Sequence, residues 1–134
     1  MKVPRRLSSR FRRERGQTMV EFAIIVPILL LVLLAILQFG IVFHNYITVT
    51  DAARAGARQA AVGRGMADPV GAATTRVRNS AVNLNQSKLG VSVTGTWAQG
   101  SDVTVTVTYP YSVSILGLVV KSGTLSTKTV ERVE

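Results

Sequence analysis

The hydrophobic pattern changes character along the chain. From Phe22 to Phe43 there are 22 residues without a charge, dominated by Ile, Leu, Val and Phe. At about 1.5 Å per residue a helix of that length covers roughly 33 Å, enough to span a bilayer core. Small and apolar residues then continue in helical style to about Val62. Ala52, Ala53, Ala55, Ala57, Ala60 and Ala61 favour helix, with Asp51, Arg54 and Arg58 spaced as surface neighbours. That alanine-rich surface admits close approach of another helix, or serves as an ordinary buried face. Gly63-Arg64-Gly65 ends the stretch.

Asp68-Pro69 reads as an N-cap followed by Pro at the first helical position, opening a helix to about Leu84. Its apolar stripe is Val70, Ala73, Val77, Ala81 and Leu84, and that face is expected to cover a sheet. The period then drops to two. Val91, Val93 and Trp97 alternate with Ser92, Thr94 and Thr96; Ala98-Gln99-Gly100-Ser101 turns; Val103, Val105 and Val107 alternate with Thr104, Thr106 and Thr108 until Pro110. A third strand, about Gly123 to Val133, alternates less regularly and suits an edge. The predicted fold class is α+β. A single N-terminal transmembrane helix continues into a long helix, followed by a small outer domain with a second helix and an antiparallel three-stranded sheet.

The two ends of the apolar run differ. Glu21 sits at its entrance, and a charge near the centre of such a helix costs about 2.5 to 3.5 kcal/mol, so this carboxylate belongs near the headgroups or beside a cationic partner. Pro27 removes an amide donor and is expected to kink the helix in its inner half. Gln38 and Gly40 mark the outer half as the place for helix contact, because a buried amide seeks a partner and Gly permits close approach. Ahead of the run, Lys2, Arg5, Arg6, Arg10, Arg12, Arg13 and Arg15 crowd a tail whose only acid is Glu14. Positive-inside bias puts this end in the cytoplasm and everything after Phe43 outside. A cleaved secretory signal is the competing reading, but its apolar region usually has about 7 to 15 residues. Phe43-His44-Asn45-Tyr46 is also a poor exit, although Ala55-Gly56-Ala57 offers a small-residue site.

Composition narrows the remaining classes. With 134 residues there is room for one membrane helix and one modest outer core. There is no cysteine, so stability rests on packing or assembly rather than disulfides. The net charge of +9 resembles a nucleic-acid signal, but seven of the sixteen cations lie in the tail. From Gln17 onward nine cations face six acids, and no nucleic-acid partner is expected. His44 is the single histidine, at the membrane exit, where an amphipathic ring commonly sits. Asp51, Asp68, Asp102, Glu131 and Glu134 read as a helix charge pair, an N-cap, a strand start and a tail, with no evident paired-carboxylate face. Gly63-x-Gly65 follows no strand and lacks the lysine of a phosphate loop. No nucleophile and base constellation emerges. The expectation is a non-enzymatic chain with no metal or cofactor.

Arg15-Gly16-Gln17-Thr18-Met19-Val20-Glu21-Phe22-Ala23, then Pro27, Phe39-Gly40 and the stretch from Asp51 to Ala61, resemble the TadE-like family, pseudopilins of tight-adherence (Flp, type IVb) pilus systems. The resemblance is dense from Arg15 to Ala61 and weaker thereafter. It implies cleavage by a membrane prepilin peptidase after Gly16, making Gln17 the new N-terminus and Glu21 the fifth mature residue. Phe22 stands where the major pilins carry Tyr, which implies a minor subunit. Cleavage would remove the basic tail and leave an ammonium on Gln17, one helical turn from Glu21. When such helices bundle, an opposite charge within about 4 to 6 Å offsets part of a carboxylate's desolvation. A plain signal anchor, with Glu21 in the headgroups, is the alternative the residues leave open.

The expected organisation is a basic cytoplasmic leader over 1–16, a transmembrane and extended helix over 17–62 with its span at about 22–43, and an extracytoplasmic α+β domain over 63–134. The expected function is that of a minor pilin or pseudopilin in pilus assembly and surface attachment. Its partners would be the membrane, the prepilin peptidase, and other pseudopilins and assembly proteins in an oligomeric array. The competing function is an unprocessed, membrane-anchored binding module or adhesin whose threonine-rich sheet recognises a surface ligand; loss of the leader separates the two. Finally, Ile115, Leu116, Leu118 and Val119 belong to an apolar run between two strands. It either fills a gap in the core or is exposed for contact with a partner or the membrane surface, and the small size of the domain favours contact.

Overall fold

One helix, α1, runs from Arg10 to Ala61 and takes in the whole apolar stretch, with Pro27 inside it. The computed structural model describes residues 10–134, with side chains from Gly16 onward, and the basic side chains behind the expected orientation lie outside that range. A 3₁₀ turn at Gly63–Gly65 follows, then α2 at Pro69–Ser80, β1 at Gly90–Gly95, β2 at Asp102–Ile115 and β3 at Leu118–Arg132. The strands form one antiparallel sheet in the order β1-β2-β3, which makes this an α+β fold with the third strand at an edge. The chain divides into two compact units, one ending at Leu37 and the other spanning Gln38–Glu134.

In the first unit the helix carries its large apolar side chains on the outside. Phe22 is 67% exposed, and Ile24, Leu29 and Leu33 are likewise exposed. A soluble surface rarely presents contiguous apolar area on this scale. Within the described residues, α1 is the one helix long and apolar enough to cross a membrane.

The second unit holds the core. Val49, Ala52, Ala53, Ala57 and Ala60 from α1 meet Ala73 and Val77 from α2 and Val103, Val105 and Val107 from β2, all buried. The alanines of α1 therefore serve the core of their own unit. Small side chains let three elements converge: a Cβ placed on Gly56 would run into Val77 Cγ2 and stand 3.4 Å from Val105 Cγ1. Where α1 ends, its last carbonyls need partners. The Trp97 indole donates to the Ala60 carbonyl at 3.0 Å, and the Glu134 amide donates to the Ala61 carbonyl at 3.2 Å.

Several element boundaries differ from those the sequence pattern predicts. Asp68 caps α2 by accepting from the Gly71 amide at 2.8 Å, as expected. The helix stops at Ser80 rather than about Leu84, where the Gln86 side-chain amide donates to the Ala81 and Leu84 carbonyls at 2.7 and 3.2 Å. Ala73, Val77, Ala81 and Leu84 are buried as the stripe predicts, but Val70, in the first turn, is exposed. β2 does not end at Pro110. Its pairing with β1 stops at Thr108, so Pro110 has no β1 residue opposite it, and a missing donor is tolerated at such an edge. β2 thus continues to Ile115, and β3 begins at Leu118 rather than about Gly123.

Candidate functional site

The features expected to matter lie along α1 and at the β2–β3 turn. At the start of the apolar stretch, Gly16, Gln17, Glu21 and Phe22 all stand exposed on continuous helix. Gln17 Nε2 donates to Glu21 Oε1 at 3.0 Å, the i to i+4 reach of one helical turn. The polar groups at positions 17 and 21 therefore share one face at the mouth of the apolar run. A Cβ placed on Gly16 would meet nothing within 4 Å, so the surrounding fold does not itself require a glycine there. Pro27 follows Glu21 within the same helix, which continues through it.

At the other end of the span, Gln38 is half-buried and Gly40 is exposed with open space beside it. Val42 and Asn45 are half-buried on the helix face that leads to buried Val49, whereas Ile41 and Phe43 are exposed. Phe39 and Phe43 stack with ring centroids 6.4 Å apart. The Thr48 and Thr50 hydroxyls donate back to the carbonyls of His44 and Tyr46 at 3.0 and 2.9 Å. Those bonds occupy the hydroxyls of the exit turn without interrupting the helix.

The apolar run poised between core and contact forms the end of the β2–β3 hairpin. Leu116 and Leu118 are each 74% exposed, Val119 and Val120 are exposed, and Ile115 is half-buried. Leu116 has φ 51° and Gly117 φ 82°, both left-handed, the backbone of a two-residue primed turn. Glycine adopts that region freely at the second turn position, but a leucine at the first is uncommon. Nothing in the sequence pattern announces the left-handed backbone of Leu116, the close approach of α2 to Gly56 or the hydrogen bond that Trp97 makes to Ala60. They emerge only once the elements meet.

Two acids of the second unit are engaged in exposed ion pairs. Asp51 lies 3.8 Å from Arg54 and Asp102 lies 3.5 Å from Arg132, and pairs of this kind are worth little individually. Among the described residues, no cluster of His, Asp and Glu gathers at one point.

The described residues thus combine one helix of membrane-spanning length and apolarity, with a polar pair at its mouth, and a small α+β unit, the features of the class of single-span anchored proteins. Within that class, residues 16–58 match the family model described as TadE-like protein. The matched segment opens at Gly16 and runs through α1 to Arg58; α2 and the sheet lie beyond it. No curated protein and no solved structure matches the chain.

Proposed function

We propose that this chain is a minor pseudopilin, a membrane-anchored structural subunit in tight-adherence (Flp, type IVb) pilus assembly and surface attachment, with no catalytic role of its own. The observation that carries the reading is the placement of Gly16, Gln17 and Glu21 at the mouth of the apolar helix, inside the segment matched by the TadE-like family. A prepilin peptidase cuts after Gly16, and Gln17 becomes the N-terminus. The new ammonium then lies one turn from Glu21 and can pair with it or with the Glu21 of a neighbouring subunit, which offsets the cost of a carboxylate at the membrane boundary. The basic tail faces the cytoplasm and the α+β unit lies outside. Gln38 and Gly40 are available for contact with other pseudopilins.

The test separates insertion from assembly. Glu21→Ala should still enter the membrane and lose its leader, yet fail to restore pili and surface attachment in cells lacking the wild-type chain. Normal piliation by this variant would contradict the role given to Glu21.

A further inference from the structure

The β2–β3 hairpin outgrows its sheet. β1 pairs with β2 only as far as Thr108, so beyond that point β2 and β3 form a two-stranded ribbon ending at Leu116-Gly117. The Tyr109 hydroxyl, at the base of the ribbon, accepts from the Asn85 amide at 3.4 Å. Farther out, the Tyr111 ring lies against Gly123. Ribbons of two strands are marginal in water on their own, so an apolar end on one calls for an occupant.

The direction of the ribbon is set within the second unit. The Glu134 amide donates to the Ala61 carbonyl, and Thr127 lies 3.3 Å from Thr50 through their hydroxyls. Thr50 thus stands beside Thr127 and Ala61 beside Glu134, so the two segments run in the same sense and β3 traced back from Thr127 leads toward the Gln38 end of the unit. At about 3.3 Å per residue the stretch from Thr127 to Leu118 covers roughly 30 Å. The helix from Thr50 back to Gln38 covers only about 18 Å. The ribbon is long enough to reach the level at which α1 enters its apolar stretch.

The chemistry of the tip selects what it meets. Ile115 pairs with Leu118, and Ser114 with Val119, which sets Leu118 and Val119 on opposite faces; a bulge beside Val113 leaves Val120 unpaired. Apolar side chains therefore surround the tip instead of lining one face. A protein groove covers one face, whereas lipid accommodates all sides. Lys121 follows directly and Tyr111 stands behind, the cationic and aromatic residue types that favour a membrane interface. The unfavourable left-handed Leu116 places one more large apolar side chain at the extreme end.

We infer that the β2–β3 tip is a second membrane contact, dipping Leu116, Leu118 and Val119 into the outer leaflet beside the point where α1 emerges. The inference rests on the single-span anchor and not on leader cleavage, so it can fail while the pilin reading stands.

The chain has no cysteine, so single-cysteine variants can each carry one environment-sensitive fluorophore. Full-length Leu118→Cys, Val119→Cys and Ser126→Cys chains would be placed in phosphatidylcholine–phosphatidylglycerol vesicles, at a density that leaves most vesicles with one chain. Lipids bearing a nitroxide at a shallow acyl position serve as quenchers. Labels at 118 and 119 should both be blue-shifted and quenched severalfold more strongly than the label at exposed Ser126. Equal quenching at all three positions would overturn the inference. Protection of one face only, or a shift that arises only at high protein density, would assign the tip to a protein surface and overturn it as well.

Discussion

Gly56 shows how much of this molecule is decided by single side chains that the chain leaves out. An added methyl would run into Val77 Cγ2, with the Ala73 carbonyl oxygen and Val105 Cγ1 each 3.4 Å away. Valine in a helix is held in one χ1 rotamer and cannot swing clear. Overpacking of this kind costs about 1 to 3 kcal/mol, against roughly 0.5 to 1 kcal/mol that Ala gains over Gly in a helix interior. Gly56→Ala should therefore destabilise the full chain in detergent micelles by up to about 2 kcal/mol in urea titrations followed by Trp97 fluorescence. The penalty should shrink in a Val77→Ala background. A more stable Gly56→Ala chain would contradict the close packing. The alanines around Gly56 were legible as helix, but a glycine in a helix says nothing about which element approaches it. Trp97 read as part of the first strand's alternation, but β1 ends at Gly95, and the indole's hydrogen bond to Ala60 was not legible because that partner is distant in sequence.

Among the elements, α2 is the clearest case of local chemistry deciding structure. Asp68 accepts from the Gly71 amide, and Pro69 supplies the helical φ that follows. Asp68→Ala should cost about 1 kcal/mol in the same titration, and Asp68→Asn should recover most of it, since Asn caps nearly as well. Equal losses in both variants would remove the cap from the account. The start of α2 was readable because capping is local; its end was not, because Gln86 folds back to claim the Ala81 and Leu84 carbonyls. The strands divide in the same way. Alternation located Val103, Val105 and Val107 on the core face, but Pro110 read as a stop only while its neighbours were unknown. With the pairing of β1 ending opposite Thr108, the proline sits at a free edge and β2 passes through it. The consequence is the long hairpin that carries Leu116 and Leu118 away from the core.

For the whole molecule, the membrane-length helix was legible because an uninterrupted apolar run needs no tertiary information, and the TadE-like match spans residues 16–58 of that same region. The sheet and its hairpin lie outside the matched segment, and their arrangement came from the structure. The proposed processing site at the mouth of α1 comes down to one peptide bond, Gly16–Gln17. Glycine at position 16 carries no side chain to stand in a peptidase's way, and a β-branched residue there would crowd the approach. The most direct measurement is the intact mass of the wild-type chain and of Gly16→Val, each recovered from membranes of cells that contain a prepilin peptidase. The wild-type chain should yield a species beginning at Gln17, and Gly16→Val a species that keeps its leader. A wild-type chain that retains Met1 to Gly16 in those membranes would contradict processing at that bond.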